Sequence, residues 1–276
     1  MEYATFEKLH NTLLSNKGKI IHQIWFGTIP NKKTAKKAFK GLSKYRDTWL
    51  NKNPDWYYHC WNLIDCLNLV KIHFPEHLEM YNSYQYPIQK CDCIRYCILH
   101  MYGGLYADMD YCCNKPWNEV LKNYPSDLYI TETPNKMHNE VHISNSLMYS
   151  KANHSFWKHM LIEMEQNRIV PIYYSKHITI MYTTGPGIIN RVFHKYKTKY
   201  NLEYYPYELF HPFGITTELR VNIDPKVYAY HLQKGCWNTI DTNIMNFFYK
   251  EHKIILFIIF VLFVPIFIQK FKLLKK

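Results

Sequence analysis

The sequence predicts an α/β fold, a sheet with helices on both faces, that ends in a C-terminal hydrophobic anchor. Three observations predict it. Runs rich in isoleucine and aromatics alternate with stretches of helical periodicity, which is how a sheet covered on both sides reads in sequence. The 276 residues contain no repeat and no Ser/Gly/Pro-rich linker, so one core is expected, spanning residues 1–245. Residues 254–268, "IILFIIFVLFVPIFI", are uncharged and apolar throughout.

The N-terminal stretch "MEYATFEKLHNTLLSNKGK" has no long apolar run and is not read as a secretory signal. "KIIHQIWFG" (19–27) reads as a buried first strand, and a lysine-rich helix follows, stopping by Asn53-Pro54. "DWYYHCW" (55–61) reads as a second strand and "LIDCLNLVKIHF" (63–74) as a helix ended by Pro75. The stretch 88–102 is predicted helical, terminated by Gly103-Gly104 as a glycine C-cap, and "LYA" then forms a strand. Further strands are expected at 127–131 and 143–150, with helices at 155–167 and after Gly185-Pro186. Residues 246–276 form the predicted anchor, entered by Lys250 and Lys253 and closed by "QKFKLLKK". Fifteen helical residues reach about 22 Å, short of a usual span, so flanking aromatics and snorkelling lysines would extend it.

A net charge of +12 raises the question of a polyanionic partner. Lysines cluster over residues 31–46 on several faces of the predicted helix, as on a solvated or membrane-facing surface. No zinc finger or RNA-recognition signature accompanies them, so specific nucleic acid binding is set aside. Nucleoside diphosphates and anionic lipid headgroups remain suitable partners. The eight cysteines match no standard zinc spacing, and "CDCIRYC" reads as structural thiols on one helix. A single glycosylation sequon, Asn153-His154-Ser155, fixes no compartment.

The chemistry concentrates in "GGLYADMDYCC" (103–113), where Asp108 and Asp110 follow a short strand. Two carboxylates this close repel, so a positive partner is expected, first a divalent cation that takes carboxylate and phosphate oxygens together. On that reading, Asp110→Asn leaves metal-free stability unchanged or higher. Ligands on α/β sheets gather at the carboxyl ends of strands, where this pair falls. Sixteen residues before Asp108 stands Asp92, with Arg95 on the same helical face. A carboxylate suits sugar hydroxyls and an arginine fork suits phosphate or hydroxyl oxygen; a surface ion pair is the alternative.

"HQIWFG" followed by "DCIRYCILHMYGGLYADMD" resembles the DXD-containing sugar-binding region of glycosyltransferase family thirty-two. That family includes fungal mannosyltransferases acting on N-glycans and on inositol phosphoceramide, and large glucosylating toxins carry a related block. The resemblance runs in pieces from about Lys19 to Trp237, with smaller matches at "SNSLMYS", "TTGPG" and "AYHLQKGCW". It implies a GT-A-like, Rossmann-like mixed sheet and a catalytic set of Asp92, Arg95, Asp108 and Asp110. Trp25, with His22 among its neighbours, would line the nucleotide base, while Asp92 and Arg95 hold the donor sugar. Asp108 would face ribose or sugar and reach the metal, and Asp110 would ligate it directly. His231 and Trp237 would close over diphosphate or metal, with Asn145 and Gly185 on the donor side. Trp25 also reads as a plain core aromatic, and His231 as a structural histidine.

The resemblance further implies Mn2+ or Mg2+, a nucleotide-sugar donor (GDP-mannose ahead of UDP-sugars), a glycan or glycolipid acceptor, and retention of configuration. Family members usually reach the Golgi through an N-terminal hydrophobic segment, which is not seen here. The expected location is therefore a membrane, by the C-terminal segment alone, with the side of the membrane open. Two rivals were weighed. A haloacid-dehalogenase-like phosphohydrolase would want its Asp-x-Asp after the first strand and Thr or Val soon after. A non-catalytic basic membrane module would leave Asp92, Arg95, Asp108 and Asp110 without a role.

Overall fold

The computed structural model describes residues 2–27, 32–134, 140–213, 223–233, 240–248 and 251, the side chains of 2–3 and 32–39 excepted. Its first half runs α1 (Glu2–Ser15), β1 (Ile20–Ile24), α2 (Lys32–Lys52), β2 (Tyr57–Trp61), α3 (Leu63–His73), α4 (Leu78–Ser83), α5 (Pro87–Tyr102), β3 (Gly104–Ala107) and β4 (Tyr111–Cys113). Then come α6 (Trp117–Asn123), β5 (Leu128–Glu132), β6 (Ile143–Ser150), α7 (Phe156–Gln166), α8 (Lys176–Thr183), α9 (Pro186–Tyr200), β7 (Glu203–Tyr205), α10 (Tyr207–Phe210) and β8 (Ala229–His231). A further helix covers residues 240–248. The chain divides into two compact units, Met1–Tyr174 with Ile178–Lys234, and Ser175–His177 with Gly235–Lys276.

Among the described residues the main sheet has the order β2-β1-β3-β6-β5-β7, and β4 pairs with β8 in a separate ribbon. β1 runs parallel to both β2 and β3. β6 is antiparallel to β3 and to β5, and β7 is parallel to β5. The sheet is therefore mixed, as expected, and its direction reverses at the β3–β6 junction. The carboxyl end of β3 and the amino end of β6 consequently meet on one side, since Ala107 pairs with Leu147.

Side chains alternate across the pleat and feed two apolar layers. Ile20, Ile24, Tyr106, Leu128, Ile130 and Met148 face α3, α5, α7 and α9. Ile21, Leu105, Ala107, Tyr129, Leu147 and Tyr149 face Trp49 of α2, Trp117 of α6 and Phe210 of α10. Helices thus cover both faces. Asn62 caps α3 by accepting from the Ile64 and Asp65 amides, and Asp65 closes the capping box. Pro87 opens α5, whose fixed φ suits a first helical position.

α5 ends at Gly103, with φ of 64°, and Gly104 follows at 90°. A Cβ on Gly104 would stand 2.5 Å from the Ile20 carbonyl oxygen, inside the adjacent strand. Gly18 has a similar φ of 86° but open space around it. Gly18→Ala is therefore expected to cost about 1–3 kcal/mol of backbone strain. Gly104→Ala must also part β1 from β3 and is expected to cost more than about 4 kcal/mol. Urea midpoints of the two variants would check this, and equal losses would discredit the steric argument.

None of the seven described cysteines, Cys60, Cys66, Cys91, Cys93, Cys97, Cys112 and Cys113, is joined in a disulfide. The apolar stretch 254–268 lies outside the described residues. Among those described, no helix is long and apolar enough to cross a membrane.

Candidate active site

α5 delivers two charged side chains into the interior beside the β3–β6 junction. Asp92 and Arg95 are 4% and 3% exposed, one helical turn apart, and the Arg95 Nη2 lies 2.8 Å from the Asp92 Oδ1. The Nη1 of the same guanidinium donates to the Asn145 carbonyl at 2.6 Å and lies 3.3 Å from the Asp108 Oδ1. Its Cζ sits 4.6 Å from the centre of the Tyr106 ring. The Tyr106 hydroxyl in turn donates to the Asp108 Oδ1 at 2.6 Å. One arginine thus bridges two carboxylates, braced from below by an aromatic face.

Asp92 is held from its other side as well. The Asn145 amide donates to its Oδ1 and the Thr184 hydroxyl to its Oδ2, both at 3.1 Å. The Asn145 amide also reaches the Tyr96 hydroxyl, which donates to the Thr184 carbonyl at 2.9 Å. Burial pushes the Asp92 carboxyl up to about 6, against the pull of Arg95, Thr184 and Asn145. Burial acts to lower Arg95 too, but the surrounding Tyr106, Asp108 and Asp92 outweigh it and hold the guanidinium charged. Gly185 opens α9 next to this cluster, and a Cβ there would lie 3.4 Å from the Asp92 Oδ2.

Asp110 has a different partner. The β4–β8 ribbon sets Tyr111 opposite His231 and places the His231 Nε2 2.9 Å from the Asp110 Oδ1 and 4.0 Å from the Asp108 Oδ2. The imidazole stacks on Tyr111 with ring centres 4.9 Å apart and planes 7° off parallel. Burial works against its charge, yet Asp110 raises its pKa overall. The expectation of two carboxylates straining against each other is corrected here. Asp108 leans on Arg95 and Tyr106, Asp110 leans on His231, and the repulsion is divided between two cations.

Asp108, Asp110 and His231 each offer a ligand atom within 4.8 Å of the others, and they are the one such cluster among the described residues. Adjacent corners of an octahedron with bonds of about 2.1 Å stand about 3 Å apart, and opposite corners about 4 Å. The 2.9 Å and 4.0 Å separations suit that polyhedron, so the donor set fits a divalent ion. Three carboxylates meet here against one arginine and one imidazole, which leaves negative charge for a cation to balance.

The backbone of the Asp-x-Asp turn is fixed from beneath. The Asp108 amide donates to the Ser146 carbonyl at 2.8 Å. The Gln23 amide donates to the Asp108 carbonyl at 3.1 Å, and the Tyr58 hydroxyl donates to Gln23 at 2.9 Å. Trp49 of α2 donates to the Tyr111 carbonyl at 2.9 Å. The structure thus gathers Asp92, Arg95, Asp108, Asp110, Asn145, Gly185 and His231.

His22 is not among them, which corrects its assignment to the donor. On β1 it points to the same layer as Ile20 and Ile24, beneath the helices. It is fully buried, its Nε2 bonds the Gly103 carbonyl at 2.9 Å, and Trp61 donates to its Nδ1 at 3.1 Å. Burial drives its pKa down to about 3, so it is a neutral core residue. Gln23, one residue on, faces the other way and supports the Asp108 backbone. Trp25 follows β1 at its carboxyl end, half-buried. Trp237 lies outside the described residues.

Tyr106, Thr184, Tyr96, Gln23 and Tyr111 were not singled out from sequence. Thr184 and Tyr106 belong to "TTGPG" and "GGLYADMD", but only the packing gives them a partner. Asp108 also follows β3, the third strand in chain order, rather than the first strand that the phosphohydrolase reading wants.

Residues 40–127 match the glycosyltransferase sugar-binding region containing a DXD motif. The chain carries that region. It is 30% identical over 180 residues to inositol phosphoceramide mannosyltransferase 2 of Schizosaccharomyces pombe, covering 65% of this chain and 47% of that protein. It is 32% identical over 179 residues to the mannosyl phosphorylinositol ceramide synthase CSH1 of Saccharomyces cerevisiae, covering 65% and 43%. The chain thus spans less than half the length of these curated relatives. The UDP-bound glycosyltransferase domain of the YGT toxin aligns with 69% of this chain and 80% of its own, at a TM-score of 0.48 and 9% identity. The family match and the fungal relatives bear out the resemblance to glycosyltransferase family thirty-two drawn from the motifs.

Proposed function

We propose that this chain is a GT-A-type, metal-dependent, retaining glycosyltransferase that moves mannose from GDP-mannose to a glycan or glycolipid at a membrane. The single observation that carries the reading is the Asp92–Arg95–Asp108 bridge lying against the Asp108–Asp110–His231 cluster. The Asp-x-Asp part of it lies within the matched sugar-binding region. The names of the two fungal relatives favour a phosphoinositol-bearing glycolipid over a protein-linked glycan, and residues 254–268 would hold the enzyme at that bilayer.

Asp92 and Arg95 bind and orient the transferred sugar, Asp92 by accepting from hydroxyls and Arg95 by fixing Asp92 and Asp108 in register. Asp110, Asp108 and His231 would hold a divalent cation, Mn2+ or Mg2+, which would supply the positive charge that offsets the departing diphosphate. On this reading the Asp92 carboxylate stabilises the positive charge that grows on the anomeric carbon. Asn145 and Thr184 keep that carboxylate ionised and aimed. No described side chain is assigned as a covalent nucleophile, so the acceptor hydroxyl attacks from the face the diphosphate leaves.

The test is donor hydrolysis without acceptor. Purified protein with Mn2+ should slowly release GDP from GDP-mannose, and chelation should stop this reversibly. Metal-independent turnover, or indifference to every nucleotide sugar, would sink the proposal.

A pH dependence follows from Asp92. The ionised form is the one that accepts sugar hydroxyls, and its pKa is about 6. Protonation below that pH removes the acceptor, so kcat/KM should rise as pH increases through about 6. Thr184→Val deletes a bond that favours the ionised form and should move this limb upward by about one unit, the equivalent of ~1.5 kcal/mol. A limb that stays in place would assign the titration to another group.

A further inference from the structure

The helix over residues 240–248 presents its apolar side outward. At 100° per residue, Ile240, Ile244, Phe247 and Phe248 fall within a single arc of about 100°. All four are exposed, Ile240 by 78%, Phe247 by 58%, Phe248 by 51% and Ile244 by 50%. Thr242 lies on the opposite side of the helix, is 3% exposed, and stands 3.2 Å from His177 through its hydroxyl. A helix of a water-soluble domain normally turns such a stripe inward and its threonine outward. Here the orientation is inverted, over a contiguous apolar face of the kind that marks an interaction surface.

The sequence around the stripe says what covers it. Lys250 and Lys253 follow within five residues, then fifteen apolar residues, then Lys270, Lys272, Lys275 and Lys276. Basic residues beside an apolar helical face suit an anionic lipid surface, where the apolar side sinks to the acyl boundary and lysines reach headgroup phosphates. A protein partner would not need the apolar run that continues beyond the helix. We propose that residues 240–248 form an interfacial helix that lies in the plane of an anionic bilayer on its Ile240–Ile244–Phe247–Phe248 face. This surface shares no residue with the Asp-x-Asp cluster and does not rest on the glycosyltransferase reading.

The test uses the full chain with vesicles of phosphatidylcholine and phosphatidylserine. A benzophenone amino acid at position 247 should yield phospholipid adducts on irradiation, and the same group at Asn246, across the helix, should yield at least fivefold fewer. Combining Ile244→Ser, Phe247→Ser and Phe248→Ser should lower lipid labelling from a benzophenone at position 240 more than fivefold, with the melting temperature unchanged. Equal labelling at 246 and 247 would mean a helix surrounded by lipid and would overturn the proposal. So would protein adducts in place of lipid adducts, or labelling that ignores the triple substitution.

Discussion

Asp110→Asn is expected to reduce donor hydrolysis and transfer by about 10³-fold or more, because on the proposed reading it removes a carboxylate that would hold the divalent cation. The amide keeps one oxygen, so excess Mn2+ should recover part of the rate, by lifting occupancy rather than restoring the charge. Stability should move the other way from a simple relief of repulsion. Asp110 stands 2.9 Å from the His231 Nε2 and raises its pKa, so the pair stabilises the metal-free fold while the imidazole is charged. That contribution is complete below the unfolded histidine pKa and is lost as pH rises through the folded value. With chelator present, the variant should therefore melt below the parent near pH 5.5, below the unfolded histidine pKa of about 6.5, and the gap should close as pH rises through the raised folded value. Thermal melts across that range, alongside turnover, would check both halves. Full activity in Asp110→Asn would show that the pair serves another purpose.

Arg95→Lys is expected to lower kcat/KM by about 10²-fold or more. The guanidinium meets Asp92 at 2.8 Å, the Asn145 carbonyl at 2.6 Å and Asp108 at 3.3 Å while lying over Tyr106. A lysine ammonium is a point donor on a flexible stem and cannot span these acceptors together. The buried Asp92 and the partly exposed Asp108 would then share a poorer partner, at a stability cost of about 3 kcal/mol. Affinity for free GDP should change less than threefold, since Arg95 is placed at the sugar and not at the nucleoside. A loss of GDP affinity as large as the loss in kcat/KM would move Arg95 to the diphosphate and revise the site.

Much of this was legible in one dimension. The 3.6-residue spacing put Asp92 and Arg95 on one face of α5, and two glycines that tolerate positive φ marked where α5 could end and turn into β3. Asp108 and Asp110 were placed at a strand's carboxyl end by the same short-range rules, and the family motif gave them a role. The assignment of His22 failed because adjacent residues of a strand face opposite layers. "HQIWFG" alone does not say which of His22 and Gln23 turns toward the helices.

Long-range pairing decided the rest. β4 and β8 are three residues each, too short to carry a period-two signal, yet their pairing carries His231 across more than a hundred residues of chain to Asp110. Thr184 and Asn145 reach Asp92 only because the turn between α8 and α9 and strand β6 meet α5, contacts that depend on tertiary packing and leave no local pattern. The sequence by itself named the charged groups of the site and determined the elements, α5 and β3, that carry Asp92 and Arg95 and lead into the Asp-x-Asp pair. The tertiary structure alone decided how they are divided between two cations, because charge pairing is a matter of ångströms in space and is indifferent to separation along the chain.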